Sequence, residues 1–451
     1  MKIKLFRSAT VGINSKNFKL LTDPWLTDGE YYGSWSHYPS YNLDKNLEEI
    51  NNYDAIYISH IHPDHCSEQT LRKISKSIPI YIHKYHSPFL KLKIERMGFI
   101  VHEVDNGKTI YLNKDLRLTI YAADDCDPAL CYKFLGCANL SKENGSQQID
   151  SISVISSDRY TIVNTNDCPF ELSKNVLNKI KKKFKSIDVL LTGYGGAGPY
   201  PQCVDNFSFE QKKIEAKKKE INFLDKTLEY LKILHPKYYL PFAGTYTLSG
   251  KLSKLQSLRG VPTIDDAYNY LDKEISRLKE IEDIKSIKLN PGNEFNIEVE
   301  KSDKPFIKFD HLDFENYVSK KLIKKKFFYE NNEKVSFNEI LSMAKVAYSR
   351  FLNKQKELNI KLDTDIILEV LDKYIVIPYN KEELKTLDKV EFKENEKFVI
   401  YKLDIRLLKL ILMGPRYAHW NNAEIGSHIN FYRKPNIYDR KLYFNMNYFH
   451  I

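Results

Sequence analysis

Short apolar runs rich in β-branched and aromatic residues alternate with amphipathic stretches over the first 300 positions. Runs at 1–6, 9–12, 18–21, 53–59, 78–82 and 99–104 read as strands, with helices predicted over 67–77 and 89–97. A hairpin-like pair at 109–112 and 116–121 precedes a second strand pair at 151–155 and 160–164. A lysine-rich amphipathic helix at 174–184 leads to a strand at 187–192. The long helix expected over 209–234 keeps Ile214, Ile221, Leu224, Leu228 and Leu231 on one face, and His235-Pro236 stops it. A strand at 237–244 and a helix at 265–280 complete the series. Strands interleaved with helices, with hairpins among them, predict an α/β arrangement around mixed sheets. Positions 301–451 read as a separate α+β domain with one clear helix at 337–358. No repeat or low-complexity linker lies between the parts, which predicts that 1–300 and 301–451 dock against each other.

The strand at 53–59 runs into His60-Ile61-His62-Pro63-Asp64-His65, three histidines and an aspartate in the order His-x-His-x-Asp-His. Neutral imidazoles and carboxylates are preferred ligands of zinc and of non-haem iron, and a loop at a strand's end can aim them together. The chain holds only 12 histidines in 451 residues, so such crowding points to a metal site. Asp167 follows the strand at 160–164 in a similar position. The aromatic, turn-rich stretch 31–39 reads as a substrate-facing loop, with His37 as its candidate contact. Between 123 and 148 lie Asp124, Asp125, Cys126, Asp127, Cys131 and Cys137, whose spacing matches no common zinc or iron–sulfur pattern. The glycine run at 193–198 lacks the Gly-Lys-Ser/Thr of a phosphate loop; close backbone approach to a ligand or a strand accounts for it.

Composition narrows the class. With 42% hydrophobic and 28% charged residues the chain reads as an ordinary globular protein, and no apolar run is long enough to cross a bilayer. The first residues lack a signal-peptide core, which predicts a cytoplasmic location, and the cysteines are expected as thiols. The net charge of +10 is spread along the chain; the basic runs at 179–185 and 320–326 read as solvated helix faces, so nucleic acid is not the expected partner.

The His-x-His-x-Asp-His spacing resembles that of the metallo-β-lactamase fold, an αββα sandwich. Asp23-Pro24-Trp25-Leu26, the 57–65 segment, Asn164-Thr165-Asn166-Asp167-Cys168, Gly195-Gly196-Ala197-Gly198, Pro241-Phe242-Ala243-Gly244 and the segment 420–433 resemble the CMP-N-acetylneuraminate hydroxylase family without its Rieske domain. The N-acyl-phosphatidylethanolamine phospholipase D and ascorbate-6-phosphate lactonase groups are more distant likenesses. The resemblance implies a divalent metal, zinc or iron, as one or two ions. His60 and His62 would hold one, Asp64 and His65 the other, with Asp167 bridging. Asp64 and Asp167 would orient the reacting water, and Arg416 and Trp420 join His37 as substrate candidates. Two further histidines usual in the fold are missing, from 123–127 and from 245–251. Three functions stay open: metal-dependent hydrolysis of a nucleotide-linked or phosphorylated sugar; iron-dependent oxygenation of an activated sugar; and a binding module without chemistry. Rieske ligands need Cys-x-His and Cys-x2-His pairs, which the sequence lacks, so an oxygenase would need an external electron-transfer protein.

Overall fold

The computed structural model describes residues 1–135, 145–146, 148–331, 333–389 and 396–451. Two mixed sheets face one another. The first orders its strands as Lys301–Ser302, Glu294–Asn296, Lys2–Arg7, Thr10–Asn14, Lys19–Thr22, Ala55–Tyr57, Ile80–His83 and Val101–Val104. From Lys19–Thr22 onward its neighbours run parallel. The second runs Lys285–Ser286, Tyr238–Phe242, Val189–Gly193, Thr161–Asn164, Ser151–Ser156, Arg117–Ala122 and Thr109–Tyr111, and is parallel from Thr161–Asn164 to Lys285–Ser286.

Alternating side chains of both sheets make the layer between them: Ile3, Val11, Ile13 and Tyr57 meet Leu118, Ile120, Ile162 and Leu240. Helices cover both outer faces. Leu43–Asn51, Glu68–Lys73 and Phe89–Glu95 pack on the first sheet. Phe170–Lys183, Phe209–Leu234 and Ile264–Ile275 pack on the second. The predicted αββα sandwich is the fold.

Most expected elements form within a few residues. Ser67 caps its helix by accepting from Thr70 N, but the helix ends at Lys73 rather than 77. The long helix starts and ends at 209 and 234, with a capping box from Ser208 and Gln211. Its predicted apolar face is only half buried: Leu224, Leu228 and Leu231 lie in the core, whereas Ile214 and Ile221 are 57% and 37% exposed. A helix of 26 residues spans ~39 Å, about twice the reach of the five-residue strands it covers, so its first half overhangs the sheet.

Beyond the sandwich, Lys385–Leu387, Lys373–Ile377, Asp365–Val370, Phe398–Lys402 and Asn430–Lys434 form a five-stranded sheet. Helices Phe337–Glu357, Ile405–Leu412, Trp420–Ile425 and Arg440–Met446 accompany it. Its core is continuous with the loop after Lys19–Thr22: Trp25, Tyr31 and Trp35 share one buried cluster with Phe351, Leu408, Trp420 and Phe449. No helix among the described residues is long and apolar enough to cross a membrane.

Candidate metal centre

The parallel halves of the two sheets deliver their carboxyl ends to one edge of the sandwich, where open α/β sheets place their ligands. After Ala55–Tyr57 come His60, His62, Asp64 and His65, and after Thr161–Asn164 comes Asp167. The glycine run follows Val189–Gly193, and the 243–246 loop follows Tyr238–Phe242. Asp150, just before the strand Ser151–Ser156, joins them.

The donors form two adjoining groups. His60 Nε2 lies 3.0 Å from His62 Nδ1 and 3.7 Å from Asp150 Oδ1. His65 Nε2 lies 3.3 Å from Asp167 Oδ2 and 3.6 Å from Asp64 Oδ2. Donor atoms of His60, His65 and Asp167 all fall within 4.8 Å of one another. Ligand atoms ~2.0–2.2 Å from a shared ion sit roughly 3 to 3.6 Å apart. His60, His65 and Asp167 are thus gathered closely enough to hold a divalent ion, with His62, Asp64 and Asp150 beside them.

Supporting contacts fix which nitrogen faces inward. Asp23, fully buried in the left-handed conformation (φ 42°), accepts from Ser59 N at 2.7 Å and Ser59 Oγ at 2.8 Å. It also accepts from His65 Nδ1 at 2.9 Å, which leaves Nε2 to the donor group. Ser59 Oγ, having donated to Asp23, accepts from His60 Nδ1 at 2.9 Å, with the same result. Tyr31 OH donates to Asp64 Oδ1, and His62 Nε2 donates to Asn421 Oδ1 at 3.2 Å.

Electrostatics agrees with a cation site. Burial, then the Asp167 charge, pushes the Asp150 carboxyl up to about 8. Burial holds His60 and His62 below the ordinary imidazole range. Burial also opposes the charge on His65, but Asp167, Asp64 and Asp23 outweigh it and raise that imidazole. Buried acids crowded with imidazoles are what a bound cation would relieve.

A cavity of about 610 Å³ opens over His62, Asp64, Asp150 and Asp167. Tyr31, Trp35 and Tyr246 form an aromatic wall, the last two stacked at 3.7 Å, so the 31–39 loop does face the cavity. The glycine run forms another wall, and a Cβ at Gly196 would sit 1.9 Å from the Phe223 ring. Lys226 and Arg440 also line it.

The three substrate candidates lie elsewhere. His37 is 3% exposed, its ring 4.1 Å from that of Trp25, because the aromatic loop turns it into the core. Trp420 is 1% exposed and donates its Nε1 to Phe449 O, so its apolar bulk packs inward while neighbouring Asn421 reaches the cavity. Arg416 is exposed and is not on the cavity wall. Of the acids weighed at 123–127, Asp124 accepts from Cys126 N and Ser146 Oγ, and Asp125 pairs with Lys179. Asp150 stands with the donors instead. Cys126 is exposed and Cys131 buried; Cys137 lies outside the described residues.

An αββα sandwich with a His and Asp cluster at its carboxyl edge defines the class as the metallo-β-lactamase fold, whose members are metal-dependent enzymes. The chain belongs to the β-lactamase superfamily: the model of the β-lactamase superfamily domain matches residues 2–243. It is 26% identical over 340 residues to the cytidine monophosphate-N-acetylneuraminic acid hydroxylase of Asterias rubens, covering 71% of this chain and 47% of that protein. The Mus musculus hydroxylase is 25% identical over 258 residues, 55% of this chain and 40% of its own. The chain thus spans less than half the length of these curated relatives. Among solved structures, the isothiocyanate hydrolase from Delia radicum gut bacteria aligns with a TM-score of 0.43 at 16% identity, over 66% of this chain and 99% of that one. The diiron β-hydroxylase CmlA of Streptomyces venezuelae aligns with a TM-score of 0.40 at 14% identity, over 63% and 52%.

Proposed function

We propose that the chain is a metal-dependent hydroxylase of a nucleotide-linked sugar, with iron as its ion and electrons supplied from a redox centre outside these 451 residues. The observation that carries this reading is the donor set: three imidazoles and three carboxylates, with no thiolate among the described donors, clustered at and beneath the cavity floor. Such a set suits iron at least as well as zinc. The substrate class rests on the relatives, which are cytidine monophosphate-N-acetylneuraminic acid hydroxylases aligned over as much as 71% of this chain.

When bound, iron supplies one-electron and dioxygen chemistry. The protein's own residues do the rest. Asp167, with 35% of its side chain exposed, is open to the cavity and meets an incoming substrate first. Asp64 is held from behind by Tyr31 and orients water or a substrate hydroxyl beside it. The Tyr31, Trp35 and Tyr246 wall excludes bulk water, and the glycine run lets a ligand approach the backbone closely. Arg440 on the cavity wall gives a phosphate-bearing substrate its countercharge, whereas Lys226 is already paired with Glu171 at 3.1 Å.

Hydrolysis is the second reading. It is favoured by the lack of Cys-x-His and Cys-x2-His pairs, since water activation needs no electron source. The deciding experiment is elemental analysis of protein purified without oxygen, beside His62→Ala. Near-stoichiometric iron that the variant loses, with substrate-dependent oxygen uptake once a reductase is added, supports the hydroxylase. Zinc or manganese with turnover of phosphodiesters or lactones supports the hydrolase. Metal content untouched by the substitution overturns the site, and a chain that binds no metal is a binding module.

A further inference from the structure

We infer that residues 301–451 complete the metal centre, and that Asn421 is the positioning residue that fixes which nitrogen of His62 faces the ion. This rests on the metal-centre reading above. The outer nitrogens of His60 and His65 are satisfied from within the sandwich, by Ser59 Oγ and Asp23. The outer nitrogen of His62 is satisfied from a helix 359 positions away. An amide oxygen only accepts, so its contact at 3.2 Å places the proton on His62 Nε2. Nδ1, 3.0 Å from His60 Nε2, keeps its lone pair for the ion. The opposite amide orientation would turn an N–H toward Nε2, move the proton to Nδ1 and take His62 out of the ligand set.

The helix that carries Asn421 is anchored to the C-terminal part. This helix, Trp420–Ile425, is nailed down by Trp420, whose indole is buried against Tyr401 and donates to Phe449 O at 3.0 Å. A second tether runs alongside. His428 Nε2 donates to the Tyr31 carbonyl at 2.8 Å, and Tyr31 OH in turn holds Asp64. One ligand from each donor group is therefore steadied from beyond position 301.

The test uses the full chain stripped of metal and titrated with cobalt(II) against a competing chelator, read by its visible absorption. The unaltered chain is expected to bind cobalt. Asn421→Leu should weaken that binding roughly 10- to 100-fold and alter the absorption bands, whereas Asn421→Asp, which keeps the acceptor, should stay within about threefold. Near-ultraviolet circular dichroism checks the fold, and Asn421→Ala is read in the same way if the leucine variant does not fold. Cobalt binding by the alanine and leucine variants equal to the unaltered chain overturns the inference alone. Loss in the aspartate variant as severe as in the leucine variant also overturns it. No cobalt binding by the unaltered chain overturns the metal-centre reading, and the inference with it.

Discussion

His65 is oriented by a carboxylate at the end of a neighbouring strand, whereas His62 is oriented by an amide carried on a helix of the C-terminal part. The first arrangement is nearly local. Lys19–Thr22 pairs in parallel with Ala55–Tyr57, so the residue after one strand lies beside the loop after the other. The second depends on the whole chain being folded. One half of the centre should therefore behave as part of the sandwich, and the other as part of an interface.

Asp23→Ala attacks the local half and should have the largest effect. It strips partners from Ser59 N, Ser59 Oγ and His65 Nδ1 in a fully buried pocket, at a cost of about 3–5 kcal/mol. A urea titration with metal analysis checks it; unchanged stability would remove the case for a locally built half. Asp150→Asn acts on the other group. It should weaken metal binding roughly 10-fold or more while leaving the metal-free protein as stable or slightly more so, because a buried acid is relieved of ionising. Trp420→Phe should lower stability by about 1–2 kcal/mol through lost packing and the lost bond to Phe449. Retained stability with weakened substrate binding would return Trp420 to the cavity wall.

At neutral pH His37→Gln gives the smallest effect, because its consequence is confined to acid. Burial holds folded His37 neutral down to about pH 3, against an ordinary value of 6.5. The unfolded state thus binds the extra proton between those values, and stability falls as pH drops through that window by up to about 1.4 kcal/mol per unit. The glutamine variant should lose that slope and match the native chain's pH dependence above pH 7, as thermal melts at pH 4, 5.5 and 7.5 would register.

What was legible in the sequence follows the same division. His60, His62, Asp64 and His65 stand in one run after an obvious strand, and Asp167 after another, so their chemistry is readable from contiguity. Asp23 stands out in the sequence only within Asp23-Pro24-Trp25-Leu26, because its role exists only in the register of two parallel strands. Asp150 was hidden at the end of a polar stretch full of competing acids; the antiparallel pairing of Ser151 with Ala122 is what selects it. Asn421 carries no local signal at all, and the eye goes to the tryptophan beside it. The long helix was placed well, but its exposed first half was not foreseen, because periodicity says nothing of how far a sheet extends.

The contact between His428 and Tyr31 spans 397 positions, and one buried cluster joins Trp25 to Phe449. A ribosome emitting residues at roughly 5–20 per second would expose the His-x-His-x-Asp-His loop on the order of tens of seconds before the segments that steady it. Until those segments emerge, the aromatic flank of that loop has no C-terminal partner to pack on. Closure of that flank is thus a late event, following the emergence of positions 420–449.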